Sequence, residues 1–204
     1  MRLQAEKERD RDVRAALLTD SAAVIDAAIE QFNVVPEIGP THPEVGDSYS
    51  LLARTYLVAK HYDLARDALR RAYSLIPPNG SKDHLDLLIL TGDLMAETGQ
   101  RDSAETSYTE ALNLPEAADV QRSEILARAH YQRGANREKL KRPDSATTEY
   151  GVAAEVWESL EEYEAAAKAR WAQVRLSAGE DEQVLRKLET EESYLVRLLV
   201  WSVC

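Results

Sequence analysis

Three sets of small residues, repeated with one spacing, are the feature that most constrains how this chain can fold. In each set a small residue is followed twelve residues later by an alanine, and seven residues after that by a second alanine. The sets are Ala53, Ala65 and Ala72; Gly92, Ala104 and Ala111; and Gly134, Ala146 and Ala153. Because two antiparallel helices approach closely only where the side chains at their crossing are small, the spacing predicts one helix pair for each set.

A large residue lies between the two alanines of every set, as Leu69, Tyr108 or Tyr150. The first small residue is expected on the first helix of a pair, and the second on the helix that faces it. The third lies further round the second helix, where it admits the first helix of the next pair, and the large residue fills the space that remains. The pattern therefore predicts helix pairs stacked in series.

Glycine and proline mark the ends of long amphipathic segments. These breakers occur at 36–43, 77–80, 99, 115, 143 and 179, and apolar residues between them recur at three- and four-residue steps. No stretch alternates with period two, so no strand is predicted. The predicted helices are 2–33, 44–59, 62–75, 81–98, 101–113, 116–140, 143–159, 161–178 and 181–200. Residues 1–35 contain no clean set and predict either one long helix or a helical hairpin.

The spacing can be compared with a known repeat. Taking Gly46 as position 1, the first set belongs to a segment with Tyr49, Leu52, Ala53, Tyr56, Tyr62, Ala65, Leu69, Ala72 and Pro77. This segment resembles the tetratricopeptide repeat, a 34-residue helix pair with small and large apolar residues at matching positions. The resemblance covers about residues 44–159. It implies an all-α, right-handed superhelical solenoid of antiparallel helix pairs, with about nine helices.

The chain departs from that family in two ways. Its units start 39 and 42 residues apart, and the phrase at 42–45, His-Pro-Glu-Val, is similar to the longer repeats of the kinesin light chain type. The third unit also carries His130, Arg133 and Arg137 where the family has apolar residues. The first helix of that unit is therefore the one that matches the repeat least.

The resemblance suggests three regions. Residues 1–43 are expected to form an N-terminal helical extension or cap, and residues 44–160 three helix pairs. Residues 161–204 are expected to form a degenerate fourth pair and a C-terminal capping helix, with Trp171 and Val174 in its core.

Charge and composition restrict the partners. The formal net charge of -11 disfavours nucleic-acid binding, which depends on neutralising phosphates with lysine and arginine. The only cysteine, Cys204, rules out an intrachain disulfide. The charged residues 1–12 do not resemble a secretory signal, and the apolar stretch 194–204 is too short to span a bilayer. We therefore expect a cytoplasmic protein without membrane insertion.

The sequence contains no recognisable catalytic constellation. The histidines His42, His61, His84 and His130 have no metal-ligand spacing on a shared helix face, and no glycine-rich phosphate loop or nucleophile elbow is present. His61 and His84 are expected at the surface or at helix caps. We expect a protein that is not an enzyme and has no catalytic residue, metal or cofactor.

The resemblance implies a concave surface that binds an extended peptide or a segment of a partner protein. The residues that it places on this surface are Asp47, Ser50, Arg54, Asp86, Ile89, Asp93, Arg128 and Tyr131. Their mixed chemistry suggests a polar, partly basic partner, although the same residues are also what exposed helix positions would show. The expected function is a protein–protein interaction scaffold. The alternatives are a peptide-sensing regulatory domain, or an accessory domain of a larger enzyme or signalling protein.

The apolar end of the chain, 194–204, allows three interpretations. It folds back onto the last helix pair, it meets a second copy to form a homodimer, or the chain has been cut from a longer protein.

Overall fold

A computed structural model describes residues 2–34, 42–114 and 120–178 of the chain. These residues form eight helices, named here in chain order. They are α1 (Arg2–Val34), α2 (Pro43–Val58), α3 (Tyr62–Leu75), α4 (Lys82–Glu97), α5 (Arg101–Asn113), α6 (Val120–Lys139), α7 (Pro143–Ser159) and α8 (Tyr163–Ala178). No strand occurs among the described residues, and none of their helices is long and apolar enough to cross a membrane.

The structure confirms the prediction of an all-α fold in which neighbouring helices pack in series. For residues 1–35 the sequence predicted either one long helix or a helical hairpin. The described part forms the single helix α1. The predicted helix 116–140 starts at Val120 in the described residues. The ninth predicted helix, 181–200, lies outside them. The superhelical twist stays a prediction.

Four of the connections are three-residue turns built in the same way. In the turn between α2 and α3, Lys60 has a positive φ of 62°. Its N–H donates to the carbonyl of Leu57, and the N–H of His61 donates to the carbonyl of Tyr56. This pair of bonds is the Schellman motif, which satisfies the carbonyls that a helix end leaves open.

The same two bonds recur in the other three turns, which follow α4, α6 and α7. The left-handed residues there are Gly99, Lys141 and Glu161. The residue after each of them accepts the first hydrogen bond of the next helix, from Ala104, Ala146 and Ala166 respectively. A short turn of this form reverses the chain, so the two helices that it joins run antiparallel.

The chain divides into two compact units, Met1–Pro115 and Glu116–Cys204. In the first unit, α1 packs on α2, α2 on α3 and α4, and α4 on α3 and α5. Its main core combines buried residues of α1 to α4, among them Ile29, Leu52, Leu69 and Leu90. In the second unit α7 packs on both α6 and α8, around the buried Trp157.

The repeated small residues lie buried in the helix packing. All seven alanines of the three sets have no measurable exposure, and both glycines are buried. A Cβ at Gly92 would overlap the ring of Tyr108, and one at Gly134 would lie 3.0 Å from the ring of Tyr150. Glycine at these positions therefore lets a tyrosine ring pack directly on the neighbouring helix backbone.

Candidate functional site

An ion pair joins two helices on the surface of the first unit. Arg54 of α2 donates from Nη2 to both carboxylate oxygens of Asp86 on α4, at 2.8 and 2.6 Å. The arginine side chain is 42% exposed and that of Asp86 15%, so the pair lies at the edge of the packed region. The link joins α2 to α4, and Arg54 offsets part of the negative charge of Asp86.

Carboxylates crowd beside this ion pair. Burial raises the pKa of the Asp47 carboxyl, and the negative charge of Asp83 raises it further. Glu44 and Asp86 act in the same direction, while Lys82 opposes them. Because neighbouring like charges disfavour one another's ionised form, this part of the surface favours positive charge. We refer to Glu44, Asp47, Arg54, Asp83 and Asp86 as the α2–α4 face.

Three more of the predicted partner-binding residues lie in the first unit, each with contacts of its own. Ser50 is buried and donates to the carbonyl of Gly46, 3.1 Å away, and Ile89 is completely buried. Asp93 accepts a hydrogen bond of 2.7 Å from the hydroxyl of Tyr108. Burial raises the pKa of the Tyr108 phenol, and the charge of Asp93 adds to that effect. Ser50 and Ile89 therefore have little or no exposed surface that a partner could contact.

Arg128 and Tyr131, the remaining predicted residues, lie on α6 in the second unit. Both are half-buried. The ring of Tyr131 stands 5.2 Å from that of Tyr150 and 5.7 Å from that of Trp157, measured between centroids. Such tilted aromatic contacts stabilise the packing of α6 on α7.

A buried ionic cluster on α6 and α7 was not foreseen. Glu149 is 5% exposed, and its carboxylate accepts from Arg133 Nη2 and Arg137 Nη1, both at 2.7 Å. His130 Nδ1 lies 2.8 Å from the other carboxylate oxygen, where a protonated Nδ1 donates. Burial would raise the pKa of Glu149, but the bonds from His130 and Arg133 outweigh it, and the pKa is lowered.

The sequence did contain a signal for this cluster. His130, Arg133 and Arg137 are spaced to share one face of a helix, and the polar Glu149 sits where the first two units have Ala68 and Ser107. Charged arginines on a face that should be buried need an acidic partner. Compared with the repeat alone, these residues are only a poor match to its apolar positions.

A second carboxylate of α6 links all three helices of the second unit. Glu138 accepts from Arg175 Nη2 of α8 with both oxygens at 2.8 Å, and from the hydroxyl of Tyr150 of α7 at 3.1 Å. Burial raises the pKa of the Tyr150 phenol, and the negative charge of Glu138 raises it too. The tyrosine therefore acts as a neutral donor.

His84 is buried, whereas the sequence placed it at the surface or at a helix cap. Its Nδ1 accepts from the backbone N–H of Gly80 at 3.1 Å, and Ser81 Oγ accepts from the N–H of His84 at 3.3 Å. Ser81, not His84, is the capping residue of α4. The imidazole therefore holds the turn before α4 in place.

The described residues contain no group of three or more histidine, cysteine or acidic side chains arranged to hold a metal ion. In comparisons with known proteins, no family model and no curated protein matches the chain.

Proposed function

We propose that this chain is a cytoplasmic, non-catalytic protein–protein interaction scaffold of the tetratricopeptide-repeat type. Two features support the repeat assignment: the antiparallel helix pairs in series, and the small residues buried at the same place in each pair. The proposed ligand is a polar, partly basic segment of a partner protein, and its proposed binding surface is the α2–α4 face.

The observation that carries this proposal is the grouping of four carboxylates, those of Glu44, Asp47, Asp83 and Asp86, on the α2–α4 face. The pKa of Asp47 is raised by burial and by three neighbouring carboxylates, and the nearby Arg54 is already bonded to Asp86. A lysine or arginine of a partner would relieve this repulsion, because an opposite charge within a few ångströms favours the ionised carboxylates. Electrostatic complementarity of this kind mainly sets the specificity and the rate of association.

The test is selection of short random peptides that bind the full-length chain, followed by affinity measurement at two salt concentrations. We expect the selected peptides to contain lysine or arginine and to bind more weakly at high salt. A double variant, Asp47→Lys with Asp83→Lys, should lose the binding of these peptides.

A charge swap supplies the matched control. In Arg54→Asp with Asp86→Arg the ion pair is rebuilt in the opposite direction and the net charge is unchanged, so the fold and the remaining carboxylates are kept. This variant should still bind basic peptides. Selection of uncharged or acidic peptides, or equal binding by the double lysine variant, would contradict the proposal.

The two alternative functions use the same surface. A peptide-sensing regulatory domain requires that the bound peptide change the shape of the chain, which small-angle scattering with and without the selected peptide measures. An accessory domain of a larger enzyme or signalling protein requires a catalytic domain elsewhere in its polypeptide.

A further inference from the structure

One face of α8 is apolar although it is turned away from the helix on which α8 packs. Ala166 and Ala169 face α7 within the buried core. Tyr163, Ala167, Trp171 and Val174 are spaced to lie on another face of α8, and we call them the α8 stripe. Tyr163 is 56% exposed and Val174 38%, while Ala167 and Trp171 are half-buried. An outward helix face in a soluble protein is usually polar.

The charged residues of α8 do not cover this stripe, because each of them pairs elsewhere. Lys168 bonds to Glu164 one turn earlier. Arg170 holds Glu158 of α7, and Arg175 holds Glu138 of α6.

Helix α3 shows the usual arrangement for comparison. Its outward face carries Asp63, Arg66, Asp67 and Arg70, which form two ion pairs along the helix. The α8 stripe differs from this face, as a surface does when it is normally covered.

We propose that the α8 stripe is the docking surface for the chain's own residues 181–204. This inference is independent of the α2–α4 face and of the peptide that it binds. The segment follows α8 directly and carries Leu185, Leu188, Leu195 and Leu199 at spacings that place them on one side of a helix.

The register of the other helix pairs supports this match. Each three-residue turn returns the chain antiparallel along the helix before it. If residues 181–204 return along α8 in the same way, Leu185 would lie beside Val174, Leu188 beside Trp171 and Leu195 beside Tyr163. The 16 residues of α8 span about 24 Å as a helix, and residues 182–199 span about 27 Å, so the segment is long enough to cover the whole stripe.

The chain's own segment also has an advantage over a second copy. A short linker gives a tethered segment an effective concentration on the order of millimolar, which a separate chain reaches only in concentrated solution. Burial of the stripe against four leucines contributes about 25 cal/mol for each Å² of apolar surface removed from water.

Hydrogen exchange of the full-length chain, followed by mass spectrometry, tests the proposal. Peptides from 185–199 should exchange slowly, and Val174→Glu should speed their exchange by about tenfold or more. Leu195→Glu should have the same effect on these peptides, and the two changes together should add little to either alone, because both break one contact. Leu64→Glu, at an exposed leucine of α3, is the matched control and should leave 185–199 unchanged.

Three outcomes would overturn the proposal. Peptides from 185–199 could exchange at unprotected rates in the unmodified chain, which would mean that nothing is docked. Protection that persists in Val174→Glu would place the segment on another surface. Protection that rises with protein concentration, together with a dimer in sedimentation, would assign the α8 stripe to a second copy.

Discussion

The pairs α4–α5 and α6–α7 use the same contact at their centres and different chemistry around it. In each, a glycine of the first helix lies under a tyrosine of the second, Gly92 under Tyr108 and Gly134 under Tyr150. Each tyrosine hydroxyl then donates to a carboxylate of the first helix, at 2.7 Å in one pair and 3.1 Å in the other. The central contact is therefore a repeated structural element.

The residues around this contact differ in chemistry between the two helix pairs. Where α6 has His130, Arg133 and Arg137, the same distances from the glycine on α4 give Leu88, Thr91 and Met95. Where α7 has Glu149, α5 has Ser107. At these positions one pair has two apolar residues and two uncharged hydroxyl residues, and the other pair has a buried ionic cluster. A buried charge is tolerated only while its partners remain, so the second pair is the more fragile.

Removal of Glu149 should have the largest effect. Glu149→Ala leaves Arg133 and Arg137 without the carboxylate that they share, and loss of one partner from a buried ion pair costs about 3–5 kcal/mol. Urea denaturation followed by circular dichroism measures the change. Ser107→Ala, at the matching position of α5, is the control and should change stability by less than about 0.5 kcal/mol. Equal effects of the two substitutions would mean that the cluster does not stabilise α6–α7.

Filling the glycine positions should have the next largest effect. A Cβ at Gly92 overlaps the Tyr108 ring, so Gly92→Ala should destabilise the protein by about 1–3 kcal/mol. At Gly134 the nearest contact is 3.0 Å, and the better helix propensity of alanine offsets about 1 kcal/mol of the strain. Gly134→Ala should therefore cost less. Melting temperatures of both variants provide the measurement, and a larger loss for Gly134→Ala would contradict this comparison.

Acid should weaken the ionic cluster of the α6–α7 helix pair selectively. The pKa of Glu149 is lowered in the folded chain relative to 4.5. Its ionised form therefore contributes stability that is complete above the unfolded pKa and is lost as the pH falls through the lower folded value. Between about pH 5 and pH 3 the unmodified chain should lose more stability than Glu149→Gln. Denaturant titrations across that range test this, and parallel curves for the two proteins would show that Glu149 does not titrate as described.

The three non-glycine residues that have a positive φ in the described part of the chain should give the smallest effects. Lys60→Gly, Lys141→Gly and Glu161→Gly remove a left-handed strain of about 1–2 kcal/mol, offset in part by the greater freedom of glycine in the unfolded chain. Each should raise stability by about 0.5–1 kcal/mol. The converse change, Gly99→Ala, meets no atom within 4 Å and should cost about 1 kcal/mol for conformational reasons alone. Differential scanning calorimetry resolves these shifts, and a loss of stability in all three glycine variants would contradict the turn assignment.

Local sequence was sufficient to predict the helices. The predicted segments 62–75, 101–113 and 143–159 agree residue for residue with α3, α5 and α7, since apolar periodicity and turn residues are local signals. The backbone conformation of the turns was harder to predict. Nothing in Lys60 or Glu161 indicates a left-handed backbone, which the Schellman hydrogen bonds of the surrounding turn impose.

The contacts that depend on distant residues were not predicted. His130, Arg133 and Arg137 can be understood only with Glu149, which follows in the next helix. The pairing of Arg54 with Asp86 was not foreseen, nor was the burial of Ser50 and Ile89. A single sequence shows which residues lie on the same side of one helix. It does not show which side chain of another helix contacts them.

Transfer of the uncharged residues of α4–α5 into α6–α7 tests most directly whether the two pairs are one structural element. The full-length variant combines His130→Leu, Arg133→Thr, Arg137→Met and Glu149→Ser, the residues of α4 and α5 at matching positions. Because this variant removes every member of the buried ionic cluster and leaves no buried charge without a partner, it should keep its helix content and unfold cooperatively at the same or a higher denaturant concentration. Loss of cooperative unfolding, while Glu149→Ala alone has little effect, would contradict the account.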